Sequence, residues 1–133
     1  MQLNGKNIEV IVQAGGRGSR LRHFTWNKPK CLVSYNGKPV IYHLFDYLNK
    51  ANFHIIADYQ VNKIKKYFMI SPPRINYKIY STNESGTCSG IKDVIKDIDK
   101  NKKIILIWSD LIINKLPSIN KAPTVVTTSS FMC

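Results

Sequence analysis

The stretch Ile8 to Val12 is a β-branched run that halts at Gly15-Gly16, the pattern of a buried strand feeding a tight turn. Beyond that turn the chain alternates between helical and strand spacings. Pro39 occupies a first-turn position, and Ile41, Leu44, Phe45 and Leu48 recur at the spacing of one helix face. Phe53 to Ala57 reads as the next strand, and Val61, Ile64 and Phe68 predict a short helix stopped by Pro72-Pro73. Ile75, Tyr77 and Ile79 alternate with Asn76, Lys78 and Tyr80, which predicts a strand with one less buried face. After Gly86-Thr87, the residues Ile91, Val94, Ile95 and Ile98 repeat the helical spacing. Ile104 to Trp108 is then continuously apolar and ends at Ser109-Asp110. Such a strand, apolar on both faces, is expected in the middle of a sheet covered by helices.

Strands alternating with helices imply an α/β fold, a mostly parallel, doubly wound (Rossmann-like) sheet with helices on both faces. Ligands of such sheets bind beyond the carboxyl ends of the strands. Three loops are expected to meet there: the one after Val12, the one around Gly86 and the turn at Asp110.

A length of 133 residues with 44% hydrophobic side chains suits a single domain, 1–133, and neither a linker nor a repeat divides it. Nothing approaches the roughly 18 apolar residues of a membrane span, and the amino terminus lacks the apolar run of a signal peptide. The expectation is a cytoplasmic protein with no membrane partner. Cys31, Cys88 and Cys133 form no paired metal-ligand motif and are expected as free thiols. A net charge of +12 favours anionic partners. The basic residues are spread along the chain, as at Lys63, Lys65 and Lys66 or Lys100, Lys102 and Lys103, which argues against a nucleic-acid groove.

Gln13-Ala14-Gly15-Gly16-Arg17-Gly18-Ser19-Arg20-Leu21 sets glycines and arginines directly after the first strand. Glycine lets backbone amides approach a phosphate, and guanidinium groups add forked donors and charge. The segment is not a P-loop, which ends in Gly-Lys-Ser/Thr, nor a dinucleotide fingerprint, which needs glycine where Leu21 stands. By itself it is equally a plain strand-to-helix turn.

The continuation Thr25-Trp26-Asn27-Lys28-Pro29-Lys30-Cys31-Leu32 narrows the reading. From Ala14 to Leu32 the chain resembles the signature of the nucleoside-diphosphate-sugar pyrophosphorylases, sugar-phosphate nucleotidyltransferases that read roughly Gly-Gly-x-Gly-Thr/Ser-Arg-Leu, a gap, Thr, then Pro-Lys-x-Leu. Gly15, Gly16, Gly18, Ser19, Arg20, Leu21, Thr25, Pro29, Lys30 and Leu32 match in order and spacing. Gly37-Lys38-Pro39-Val40-Ile41, Gly86-Thr87 and Ser109-Asp110 extend the likeness. Gln13 and His23 depart from it, where the family favours a small or aliphatic residue and a proline.

The resemblance implies transfer of a nucleoside monophosphate from a nucleoside triphosphate to a sugar phosphate or similar small molecule, with Mg²⁺ as cofactor and pyrophosphate released. It implies that Ala14, Gly15, Gly16, Gly18, Ser19, Gly86 and Thr87 hold the nucleotide. Arg20 would clamp the β- and γ-phosphates, Lys30 would stabilise the α-phosphate, and Asp110 would bind the metal. Members usually run well past 200 residues, and their later part supplies a second carboxylate; Leu111 to Cys133 holds no Asp or Glu. The expectation is the amino-terminal, nucleotide-binding portion of the family fold, weakly active alone and prone to homo-oligomerise through exposed apolar surface.

Two other readings compete: a non-catalytic nucleotide-binding or regulatory protein of the same fold, and a basic nucleic-acid binder. The related molybdopterin guanylyltransferases fit less well than the sugar branch over Thr25 to Leu32. Trp26, His23, His43 and His54 receive no catalytic role, and Trp26 is expected to pack its loop down.

Overall fold

The computed structural model of the chain describes residues 8–82 and 87–115. In chain order the elements are β1 (Ile8–Gln13), β2 (Ser34–Tyr35), β3 (Lys38–Pro39), α1 (Val40–Tyr47), β4 (Asn52–Ile56), α2 (Val61–Ile70), β5 (Asn76–Tyr80), α3 (Thr87–Asp97) and β6 (Lys103–Trp108). The main sheet has the order β5-β4-β1-β6, and every neighbouring pair in it is parallel. Helices lie on both faces, as the alternation of periods predicts.

Burial explains the arrangement. β1 is covered on both sides, so its β-branched run is the middle of the core. Val10, Val12, Phe53, Ile55 and Ile107 pack with Ile41, Leu44 and Phe45 of α1 and Ile64 and Phe68 of α2. The Phe45 ring meets Phe53 edge-on, with centroids 4.9 Å apart. On the opposite face Ile11 and Ile56 pack with Val94 and Ile98 beneath α3. The same face carries a polar relay: Glu9 accepts from Asn52 Nδ2 at 2.9 Å and from His54 Nε2 at 2.7 Å. Tyr80 donates its hydroxyl proton to Asp97 at 2.8 Å, and the same oxygen lies 3.1 Å from His54 Nδ1, which ties α3 to β1 through β4 and β5.

β6 departs from expectation. Among the described residues it is the outer strand rather than a central one, and Ile104, Leu106 and Trp108 are 46%, 44% and 53% exposed. Ile105 and Ile107 turn inward to the core on the α1 and α2 side. On the other face, α3 lies over β1, β4 and β5. An unbroken apolar run says that a strand avoids water without saying what covers each face.

The two-stranded hairpin of β2 and β3 is a further departure: the hydrophobic periods do not show it, although Asn36-Gly37 is a hairpin turn signal. Both residues take positive φ, 46° and 80°, as a tight two-residue turn requires. The hairpin delivers Pro39 to the start of α1, where Val40 N–H donates to Val33 O at 2.9 Å.

Candidate functional site

Strand register aligns the carboxyl ends of all the main-sheet strands. Gln13 stands opposite Ile56 and Trp108, and Ile56 stands opposite Tyr80. Backbone bonds carry the ladder one residue further: Ala14 N–H to Ile56 O at 2.8 Å, Ala57 N–H to Tyr80 O at 2.9 Å and Ser109 N–H to Gln13 O at 3.1 Å. The loops that leave these strands therefore start side by side along one edge.

The loop after β1 is shaped by Gly18. Its φ of 63° is the left-handed region, and a Cβ there would lie 3.0 Å from Thr25 Cγ2 and 3.1 Å from Lys30 Cβ. Thr25 is buried, and its hydroxyl donates to Gly18 O at 2.8 Å, with Arg22 O as a second acceptor at 3.2 Å. Gly18, Thr25 and Lys30 thus form one packed knot. Between them Ser19–Phe24 winds as a 3-10 turn in which Arg22 holds a φ of 46° and ψ of −121°. A non-glycine residue in that region stores strain, a feature that clusters at functional loops. The far side of the loop is anchored to the start of α2 by Tyr59 Oη donating to Thr25 O at 3.4 Å and by Lys63 bonding Asn27 O.

Lys30 follows buried Pro29 and opens a short 3-10 turn, whose next residues Cys31 and Leu32 are buried. Anchored on both sides, its side chain crosses to the turn after β6, where Nζ lies 2.5 Å from Asp110 Oδ2. Burial pushes the neighbouring Cys31 thiol up to about 12, so it is no nucleophile. Cys31 and Cys88 are free, and Cys133 lies outside the described residues.

Lys30 and Asp110 are therefore brought together across the strand ends. Ala14 is buried against β4, Gly15 is half-buried and Gly16 is exposed, so Gly15 and Gly16 form the open floor beside them. Ser19 and Arg20 are exposed on the 3-10 turn, and Arg20 makes no ion pair among the described residues. Thr87 begins α3, whereas Gly86 lies outside the described residues. Trp26 does not pack down: it is 75% exposed, because the loop is held through its backbone rather than its rings.

Two residues of this edge escape sequence reasoning. Thr25 is visible as a signature match, but its role as the tie beneath Gly18 needs the folded loop. Asp58 directly follows the strand end Ile56-Ala57, and its carboxylate accepts from Thr82 N–H at 2.6 Å. A carboxylate after a buried strand is the signal that singles out Asp110, and it applies to Asp58 as well.

The donor set suits Mg²⁺ of the kind completed by substrate. No cluster of three or more His, Cys, Asp or Glu exists among the described residues, so no all-protein cage is built. Asp110 offers one half-exposed carboxylate beside an open loop, and Mg²⁺ commonly takes one or two carboxylates plus phosphate oxygens and water.

CTP:phosphoglutamine cytidylyltransferase of Campylobacter jejuni is 30% identical over 112 residues, covering 79% of this chain and 44% of that protein. D-glycero-alpha-D-manno-heptose 1-phosphate guanylyltransferase of the same organism is 30% identical over 103 residues, covering 74% of this chain and 46% of that protein. The crystal structure of HddC from Yersinia pseudotuberculosis superposes with a TM-score of 0.67 at 30% identity, over 77% of this chain and 47% of that one. The chain thus spans less than half the length of these relatives. No helix among the described residues is long and apolar enough to cross a membrane. The matching family model runs from residue 10 to residue 121 and takes in the glycine loop, Lys30 and Asp110: the chain belongs to the MobA-like NTP transferase domain family.

Proposed function

We propose that this chain binds a nucleoside triphosphate with Mg²⁺ across the carboxyl ends of its strands. As part of a complete transferase fold, it would pass the nucleoside monophosphate to a phosphorylated sugar or similar small molecule. The observation that carries this reading is the convergence of Lys30 and Asp110, 2.5 Å apart, beside the Gly15 to Gly18 loop. In the transfer, an acceptor phosphate oxygen bonds to the α-phosphorus as the bond to the β-phosphate bridging oxygen breaks, and pyrophosphate departs. Such a displacement depends on positioning and on neutralising phosphoryl charge.

The backbone of Gly15 to Gly18 lines the phosphate path, with Ala14 and Ser19 at its two ends, and Thr87 and Gly86 belong to the nucleoside side. Arg20 clamps the β- and γ-phosphates, and Lys30 steadies the α-phosphate during attack. Asp110 would hold Mg²⁺, which when bound offsets the charge of the phosphoryl oxygens. The reading extends to a cytoplasmic setting, supported by the free Cys31 and Cys88. It also extends to self-association of the chain through the exposed face of β6.

Calorimetric titration of the chain with a panel of nucleoside triphosphates, with and without Mg²⁺, tests the binding. Absence of any magnesium-dependent heat would sink it. Robust pyrophosphate release from the chain with a sugar phosphate would instead overturn its weak activity alone.

A further inference from the structure

Asp58 sits where several parts of the ligand edge meet. Its Oδ1 accepts from Thr82 N–H at 2.6 Å, and both carboxylate oxygens lie 3.2 Å from Thr82 Oγ1. A Cβ built on Gly15 would stand 3.4 Å from Asp58 Oδ2, so the carboxylate lies against the first glycine of the loop. Thr82 in turn touches the first turn of α3: a Cβ on Gly90 would be 3.1 Å from Thr82 Cγ2 and 2.4 Å from Ile56 Cγ2. One carboxylate therefore links the floor of the β1 loop, the end of β4 and the exit from β5 that leads into α3.

Its charge has a further effect. An ionised carboxylate only accepts hydrogen bonds, and so do the oxygens of a polyphosphate. Like charges this close to a binding loop repel within a Debye length of about 8 Å at physiological salt. On the sheet, Asp58 follows β4 on one side of β1, whereas Lys30 reaches Asp110 after β6 on the other. Phosphates laid toward β4 meet an anion; phosphates laid toward β6 meet Lys30. The hydroxyl and amino donors of a nucleoside, by contrast, suit the Asp58 side.

We propose that Asp58 is a positioning residue for the nucleoside end of the site, clasping Thr82 to the Gly15 loop and keeping the polyphosphate on the Lys30 side. The inference rests on the proposed nucleotide-binding function. It is tested on the whole chain by comparing the affinities of the Mg²⁺ complexes of nucleoside triphosphates and of inorganic tripolyphosphate, alongside thermal midpoints. Wild type should prefer the best nucleotide over tripolyphosphate. Asp58→Ala should reduce that preference about tenfold, as expected when a charged hydrogen-bond acceptor is lost, while tripolyphosphate binds as well or better. Asp58→Asn, which keeps the shape and one acceptor, should still raise tripolyphosphate affinity, so the charge effect is readable even if the alanine variant fails to fold.

Parallel weakening of both ligands, an unchanged preference in Asp58→Ala, or a drop in tripolyphosphate affinity in Asp58→Asn overturns the proposal. So does a wild type that binds both ligands equally. A wild type that binds neither ligand overturns the nucleotide reading itself, a result distinct from all of these.

Discussion

At the scale of single residues, the chemistry here depends on where short side chains are held. Lys30 gains a defined direction from buried neighbours on both sides, Pro29 before it and Cys31 after it. Cys31 reports on that packing. Its thiol, raised from 9.0 to about 12 by burial, favours the neutral form in the folded protein. The stabilisation that this gives is fully present below pH 9.0 and is lost as pH climbs toward about 12, because the unfolded thiol ionises first. Iodoacetamide at neutral pH should therefore label exposed Cys88 and spare Cys31 until denaturant is added, as peptide mass mapping will show. Lys30 and Asp110 are legible in the sequence because each stands in a recognisable spot, one inside a signature and one after an apolar strand. The tie from Thr25 to Gly18 spans seven residues, and the Asp58 contact to Thr82 spans 24, so neither follows from local pattern.

At the scale of elements, hydrophobic period locates the helices and strands well, and tertiary packing decides which of their faces matter. In α3 the helical spacing marks Ile91, Val94, Ile95 and Ile98 together, yet Val94 and Ile98 are buried and Ile95 lies exposed. The stripe is narrower than the pattern because α3 closes on the sheet around Gly90. Gly90 approaches β4 so closely that an added methyl would collide with Ile56. Gly90→Ala should therefore destabilise the chain by about 1–3 kcal/mol, the usual penalty of overpacking, despite its better helix propensity. Ile95→Ala should stay within about 0.5 kcal/mol of wild type, as surface changes do. Urea unfolding of both variants separates the two effects; equal stability losses would contradict the packing of α3. The β2 and β3 hairpin shows the opposite case: hydrophobic period misses it because each strand has only two residues, and its one sequence mark is the Asn36-Gly37 turn.

At the scale of the whole molecule, the parallel sheet and its helices are foreseen, but the position of β6 is not. Sequence pattern records that Ile104 to Trp108 avoids water, and it carries no information on strand order. As the outer strand among the described residues, β6 offers there an edge without a neighbouring strand and the apolar row Ile104, Leu106 and Trp108. Two copies pairing antiparallel about Leu106 would set Ile104 opposite Trp108 with both apolar rows on one face. Sedimentation velocity should show association of the wild-type chain at high concentration and a monomer for Leu106→Lys; a monomeric wild type would refute it. The ion pair of Lys30 with Asp110 has its own reach across the molecule, since it joins the first strand's loop to the last strand's turn. Each partner already has its countercharge, so a lone divalent ion must evict an ammonium to reach the carboxylate. An ion arriving with a triphosphate instead offers that ammonium a new anion at the same moment. The resting site should thus ignore either visitor alone and answer to the two combined, and Lys30→Ala should take up Mn²⁺ without nucleotide more tightly than wild type.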